Sequence, residues 1–322
     1  MILITGGAGY IGAHVNKLIN ENGYQTIVLD NLKNSNQEMV KWGKFIKGDL
    51  NDENLISSIF KKYQIDIVIH LAELTSVSES VNNPSKYYEN NYQYSVNLLN
   101  IAIRFNINKF IFSSTAAVYG NPKIIPISEK NACNPINPYG KSKLMFEEYL
   151  IKKSKEIENF NSVIFRFFNA AGADSNHEIG ENHNPETHLI PIVLDVALGK
   201  RKKIGIFGAD YPTPDGTCIR DYIHVNDIAS AHLKVIDFLD KEKSDIFNLS
   251  MGKGFSVNEI IESCQRVTNS KIPHVIKNRR DGDPAILIAD NKKVKKDLKW
   301  RTEFNQIDDI IKTSYNYQKK IN

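Results

Sequence analysis

Thiols are scarce in this chain. Only Cys133, Cys218 and Cys264 occur in 322 residues, far apart and with no Cys-x-x-Cys pair. Neither a disulfide framework nor a thiolate metal site is expected, and the compartment implied is a reducing one, the cytoplasm. An excess of one charge is lacking too: 41 Lys and Arg stand against 37 Asp and Glu, a formal net charge of +4. The basic residues are scattered, whereas a nucleic-acid partner calls for a face that neutralises a phosphate backbone. No apolar run approaches the length of a membrane span, and residues 1–5 lead into a glycine loop without a basic n-region or an apolar h-region. The chain is expected to be neither secreted nor anchored. Repeats, low-complexity tracts and long flexible linkers are missing as well. The eight histidines (His14, His70, His177, His183, His188, His224, His232 and His274) include no pair at a known ligand spacing with an adjoining acid, so no metal centre is expected.

What is present is 41% hydrophobic residues, enough for a large core in one big domain or two intimate ones. Short β-branched apolar runs at 2–5, 25–29, 67–71, 110–113 and 163–167 alternate with helix-period segments at 10–22, 54–63, 84–105 and 138–155. That alternation predicts βαβ units and a doubly wound parallel sheet, an α/β fold. After Asn169 the texture becomes rich in Gly, Asn, His and Pro, followed by shorter elements that include helices near 226–238 and 256–268. The expected division is 1–170 and 171–322, two lobes packed together with a cleft between them.

Directly after the first strand comes Thr5-Gly6-Gly7-Ala8-Gly9-Tyr10-Ile11-Gly12. Gly6, Gly9 and Gly12 suit a tight turn, close approach of backbone to a pyrophosphate and close helix packing, with a helix N-terminus facing the phosphates. Asp30 follows 18 residues beyond Gly12 at the end of the second strand, near the interval at which an acid accepts hydrogen bonds from the adenosine ribose. A carboxylate there repels a 2′-phosphate, so NAD is favoured over NADP. Asp30 also suits turn chemistry, and Asp49, after a third strand, reads either as a partner of the adenine amino group or as a solvated turn residue.

Tyr139-Gly140-Lys141-Ser142-Lys143 opens a helix, so Tyr139 and Lys143 share one face. Upstream, Ser113-Ser114-Thr115 closes the fourth strand at the carboxyl edge of the sheet, where doubly wound folds hold ligands. Oxidation of a secondary alcohol by hydride transfer needs a base for the hydroxyl proton. A phenol with its usual pKa of about 10 requires nearby positive charge to serve, and Lys143 together with a cationic nicotinamide would supply it. Lys143 is also expected to hydrogen-bond the nicotinamide ribose, and Thr115 the reacting oxygen.

With these features in this order, the sequence resembles the extended short-chain dehydrogenases/reductases, and within them the UDP-glucose 4-epimerases, over essentially the whole chain. Further segments carry the resemblance: Asp30-Asn31-Leu32, Glu79-Ser80-Val81, Tyr87-Tyr88-Glu89-Asn90-Asn91, Arg166-Phe167-Phe168-Asn169, Asp215-Gly216-Thr217, Arg220-Asp221-Tyr222-Ile223-His224-Val225 and Arg279-Arg280-Asp281-Gly282-Asp283. It implies a Rossmann sheet with a smaller α/β substrate-binding lobe, bound NAD, a UDP-sugar substrate and a homodimer built on the helices at 84–105 and 138–155. Tyr10, Ile11, Asn31, Asn34, Ser35, Leu50, Leu71 and Ala72 would add cofactor contacts, and Asn90 and Phe168 would seat the nicotinamide half. Asn169 and Arg220 would bind the UDP diphosphate, with His188 and Leu189 alongside. Arg280 and Asp283 would serve phosphate and uridine ribose, and Ile206 and Phe207 the uracil. Arg220 with Asp221, and Arg279 with Arg280, also read as ordinary surface charges.

Four positions depart from the family pattern. Thr115 replaces a frequent serine and keeps the hydroxyl. His188 replaces an asparagine that helps hold the diphosphate, and Thr75 a lysine present in some relatives. Leu287 lines the sugar pocket near C2, where tyrosine is associated with excluding 2-acetamido sugars and a small residue with admitting them; leucine is intermediate. The implied reaction interconverts UDP-galactose and UDP-glucose through a 4-keto sugar, with some acceptance of the N-acetyl pair. A 4,6-dehydratase or decarboxylase of the same superfamily would carry Ser/Thr-Asp-Glu or Ser/Thr-x-Glu where Ala116 and Ala117 stand. A non-catalytic NAD sensor would need no Thr115, Tyr139 and Lys143 together.

Overall fold

The computed structural model describes every residue except 184, 242, 281, 282 and 322. Strands β1 (Ile2–Thr5), β2 (Thr26–Asp30), β3 (Lys44–Lys47), β4 (Ile67–His70), β5 (Lys109–Thr115) and β6 (Asn161–Phe167) occupy the first half. Later come β7 (Asn169–Ala171), β8 (Ile204–Phe207), β9 (Ile219–His224), β10 (Asp245–Leu249), β11 (Gly254–Ser256), β12 (His274–Lys277) and β13 (Ile286–Leu287). A parallel seven-stranded sheet runs β10-β6-β5-β4-β1-β2-β3. Its central strands are buried along their whole length, which is why they read as unbroken apolar runs rather than as alternating ones.

Helices α1 (Tyr10–Glu21), α2 (Glu53–Lys62), α3 (Val77–Asn82), α4 (Pro84–Tyr87), α5 (Tyr94–Arg104) and α6 (Pro138–Glu156) precede α7 (Leu189–Ala197), α8 (Val225–Leu239), α9 (Val257–Thr268), α10 (Lys292–Asp297) and α11 (Ile307–Lys320). Successive strand residues feed opposite layers. Ile2 and Ile4 pack with Ile19, Phe165 and Trp300 on one face, while Leu3 packs with Val68, Phe110 and Phe146 on the other. The second lobe has its own core around Val193, Ile206, Tyr222, Ile260 and Ile310.

Two sequence expectations are revised by the packing. The helix expected over 84–105 consists of α4 and α5 joined through a π-helical segment, Tyr88–Gln93, which carries Asn90 and Asn91. Such wide turns re-aim side chains and concentrate at functional sites. The first lobe also takes chain from beyond residue 170: β10 pairs with β6 in parallel register, Phe247 against Phe165, and α8 packs on α1. The five residues of β10 include Asp245 and Asn248 and gave no clear strand signal. Among the described residues no helix is long and apolar enough to cross a membrane.

Candidate active site

The glycine loop joins β1 to α1. Gly6 has φ of +73°, and a Cβ on it would lie 2.5 Å from the Ala72 amide nitrogen, while one on Gly12 would lie 2.1 Å from the Gly6 carbonyl oxygen. The fold itself therefore demands both glycines. Gly9 is different: its φ is −75°, and the nearest atom to an added Cβ is the Gly6 carbonyl oxygen at 3.3 Å. Its missing side chain serves whatever approaches the loop. Gly9 caps α1 with no side-chain hydrogen bond, and no acid follows in the first turn. The first N–H groups of the helix, with their partial positive charge, are thus available to an anion such as a pyrophosphate.

Asp30, 8% exposed, lies at the end of β2 beside that loop. Its carboxylate accepts from the Ala8 amide at 3.1 Å, the Leu32 amide at 2.9 Å and the Ser35 hydroxyl at 2.7 Å. It does serve the turn, through Leu32, and still keeps a lone pair on Oδ2 for a ribose hydroxyl. Asp49 accepts from Asn31 at 2.9 Å and Lys33 at 2.8 Å. Burial would raise its carboxyl, but these hydrogen bonds outweigh it and hold the pKa below the ordinary value. Asn34 is exposed on the same loop, Tyr10 and Leu50 are buried, and Ile11 is half-buried. Leu71 and Ala72 form the far wall, the Leu71 amide donating to the Thr5 carbonyl at 3.0 Å. Glycine cradle, helix end and Asp30 together fit a dinucleotide.

At the carboxyl end of β5, Thr115 and Tyr139 come together. Asn137 caps α6 by accepting from the Gly140 amide at 2.8 Å, with Pro138 at the first helical position. A Cβ on Gly140 would sit 2.6 Å from the Ala117 carbonyl oxygen, so only glycine lets this turn press against the strand end. The Thr115 hydroxyl is near the Tyr139 phenol; burial raises the phenol's pKa and Thr115 opposes the rise. The Tyr139 ring also meets Tyr87 edge-on, with centroids 6.4 Å apart.

Lys143 is 2% exposed, 4.7 Å from the Phe112 ring centroid, and touches both the Glu73 carboxylate and the Ser113 carbonyl oxygen. Burial drives its pKa well below the ordinary value, against the charge of Glu147. In the protein alone the Lys143 charge is directed to Glu73. Sequence reasoning missed Glu73, although its place three residues after β4, at the ligand edge of the sheet, was a usable signal. One Glu73 oxygen, Oε1, is buried without a hydrogen-bond partner, and the other accepts from Ser113 at 3.2 Å.

A polar layer beneath sets these groups. His70 Nδ1 lies 2.7 Å from the Thr5 hydroxyl and Nε2 lies 2.8 Å from the Ser95 hydroxyl, which donates onward to the Asn91 carbonyl at 2.9 Å. Burial, then the charge of Lys143, lowers the His70 pKa to about 3, so the ring is neutral. Asn91, fully buried, exchanges hydrogen bonds with both the amide and the carbonyl of Leu74 at 2.9 and 2.8 Å, and it accepts from Asn90 at 3.0 Å. Arg166 makes a forked pair with Glu147 of α6, Nε to Oε1 at 3.0 Å, and reaches the Tyr119 hydroxyl at 2.9 Å. Arg166 of the Arg-Phe-Phe-Asn segment is thus a buried tie between β6 and α6. Its type gave no hint of that, since most arginines are exposed.

On the second lobe, Arg220 pairs with Asp283 rather than with its neighbour Asp221. Adjacent strand residues face opposite sides, and Asp221 is fully buried, accepting from the Gly252 and Ala289 amides at 3.1 Å each. The Arg280 guanidinium lies 3.9 Å from the Phe207 ring centroid, and Arg279 is exposed, bound to Asp210 at 2.7 Å. Ile206 is in the lobe core, which leaves its main chain as the only part able to meet a base. Asp281 and Gly282 of the resemblance lie outside the described residues. Leu287 sits opposite Arg220 in the β13–β9 ladder and packs against the small core cluster that includes Ala116, Tyr119, Phe168 and Ala289. This contact brings the Arg220 and Asp283 side of the second lobe against the strand end that carries Thr115. Asn169 is exposed at the start of β7, and His188 and Leu189 stand at the start of α7.

The sequence profile of the NAD dependent epimerase/dehydratase family matches residues 2–250. The UDP-glucose 4-epimerase of Halalkalibacterium halodurans is 47% identical over 320 residues, covering 99% of this chain and 96% of that one. The crystal structure of UDP-glucose 4-epimerase from Bifidobacterium longum in complex with NAD+ and UDP superposes with a TM-score of 0.95 at 41% identity, covering 99% and 98% of the two chains. The UDP-Glc/GlcNAc 4-epimerase of Campylobacter jejuni superposes with a TM-score of 0.86, also at 41% identity, over 99% of each chain.

Proposed function

The chain belongs to the NAD dependent epimerase/dehydratase family, and we propose that it interconverts UDP-galactose and UDP-glucose with tightly bound NAD. The observation that carries this reading is the closeness of Thr115 and Tyr139, one helical turn from buried Lys143, at the sheet edge that also presents the glycine cradle and Asp30. Ala116 and Ala117 follow Thr115, so the acid and base needed for a 4,6-elimination are missing from those positions and a dehydratase is disfavoured.

NAD, when bound, supplies the acceptor and donor of the C4 hydride and a positive charge near Tyr139. Tyr139 takes the 4-hydroxyl proton and later returns it, so the phenol ends each cycle as it began. Thr115 aligns the reacting oxygen. Lys143 would hold the nicotinamide ribose and, released from Glu73, would add its charge to the field favouring phenolate. Asn169, Arg220, Arg280 and Asp283 anchor the diphosphate and uridine, with the main chain of His188 and Leu189 at the start of α7 and Phe207 against the base. Anchoring by the nucleotide leaves the sugar free to turn its other face to the cofactor.

Leu287 leaves room for some turnover of the N-acetyl pair. Two chains pair through the helical stretch 84–104 and α6, which lie side by side on one face of the sheet. Placement in the cytoplasm rests on the three unpaired thiols. The test is a time course with UDP-galactose and no added NAD, products resolved by NMR. Appearance of UDP-glucose is expected; no epimer even after NAD is supplied would overturn the reading.

A further inference from the structure

Between β7 and α7 the chain carries two Glu-x-His units five residues apart, Glu181 with His183 and Glu186 with His188. The spacing is neither helical nor strand-like, and so the histidines gave no metal signal in the sequence. In the fold, one ligand atom from each of the four residues lies within 4.8 Å of all the others. The His183 Nδ1 atom touches Glu181, and His188 Nδ1 is 2.8 Å from Glu186 and 3.7 Å from Glu181, with the two imidazole centroids 5.5 Å apart.

The charges explain what this arrangement suits. Glu181 is 9% exposed, and among the described residues its ion-pair partners are these two histidines alone, with no lysine or arginine. The Tyr10 phenol, buried beside the cluster, is pushed up first by burial and then by Glu181 and Glu186; Tyr317 feels Glu181 in the same way. The two carboxylates thus set a negative field, one that also favours the protonated forms of His183 and His188 beside them. Two imidazolium rings would neutralise it only by facing each other, whereas two neutral imidazoles and two carboxylates match one dication. A set of two nitrogens and two oxygens fits a borderline transition ion, since magnesium and calcium prefer oxygen alone. Zinc bonds of about 2.0–2.2 Å require only that the hydrogen-bonded pairs part slightly and the farther atoms close in.

We propose that Glu181, His183, Glu186 and His188 bind one divalent transition cation, with zinc as the reference ion. The segment is already tied to α1, where Lys17 binds Asp174 at 2.8 Å and Glu178 at 2.6 Å, and it ends on His188, the N-cap of α7. A cation here clips the loop and the start of α7 to Glu181. This inference does not rest on the substrate reading.

The experiment uses untagged full-length protein stripped with a chelator and titrated with Co2+, read by its visible ligand-field absorption. Expected is one equivalent per chain with the intensity of a four-coordinate site, bleached one for one by Zn2+. His183→Ala and Glu181→Gln, each checked for native circular dichroism, lose at least about tenfold in Co2+ affinity. His274→Ala, an exposed histidine elsewhere, keeps the band. Glu186→Gln stands in for either variant that fails to fold. No four-coordinate band in the wild type, or a band equally strong in the folded site variants, overturns the proposal.

Discussion

Replacing Tyr139 by Phe removes one oxygen and leaves the ring against Tyr87, so the expected outcome is a fall in kcat of about 10²–10⁴ with NAD retained, read by epimerisation rate and bound-cofactor absorbance. Glu73 offers a finer probe. Its carboxylate draws the Lys143 charge away from the phenol, and Glu73→Gln removes that draw. The acid limb of the kcat/KM pH profile should move down by about one unit, because a less compensated ammonium favours phenolate; an unmoved limb would mean that Lys143 does not govern the base. Leu287 packs against the cluster that holds Ala116 and Phe168, next to the strand end that carries Thr115. Leu287→Tyr should shift the ratio of UDP-GalNAc to UDP-galactose turnover downward by about tenfold or more, the scale of a steric change in an apolar pocket. Most such residues were readable from the motifs. Glu73 and Asn91 were not, since nothing in their type announces a buried carboxylate beside a lysine or an amide that pins a loop.

Elements set these residues in place. The first turn of α6 abuts Ala117 through Gly140, and Gly140→Ala forces a shift because its Cβ would lie 2.6 Å from a carbonyl oxygen. Displacement of Tyr139 from Thr115 by about 1 Å is expected to lower kcat roughly 10²-fold, with KM for the nucleotide little changed, since the residues proposed to anchor it are on the other lobe. Steady-state kinetics separates the two. The boundaries of α6, α1 and α8 were close to legible from periodicity, as amphipathic helices with caps usually are. The π-helical turn at Tyr88–Gln93 was invisible, because a period of 3.6 is hardly disturbed by one wide turn.

Over the whole molecule, the pH response follows from groups buried without charge. His14 and His232 have pKa values lowered by burial to about 4, and His70 and His224 to about 3. Each binds a proton on unfolding below its ordinary value of 6.5, so stability is present above that pH and is lost as pH falls. Burial raises the Asp221 carboxyl to about 7 and that of Asp227 to about 6, and these act in the opposite direction. Among these six buried groups, four protons taken up outweigh two released, a loss of about 2–3 kcal/mol per pH unit. Between pH 6 and pH 4 this removes roughly 5 kcal/mol from a total typically of about 5–15. The urea midpoint should therefore fall steadily over that range; a rising midpoint would show that the carboxyls dominate. The sequence by itself determined the α/β class, the glycine cradle with Asp30, and the Thr115, Tyr139 and Lys143 trio, because strand, turn and helix chemistry is local and those residues are spaced by it. Only the tertiary structure decided that β10 and α8 close the first lobe, that Lys143 meets Glu73, that Arg220 pairs with Asp283, and that two Glu-x-His units converge. Those are contacts between distant or irregular segments, whose partners are chosen by packing and burial rather than by any period in the chain.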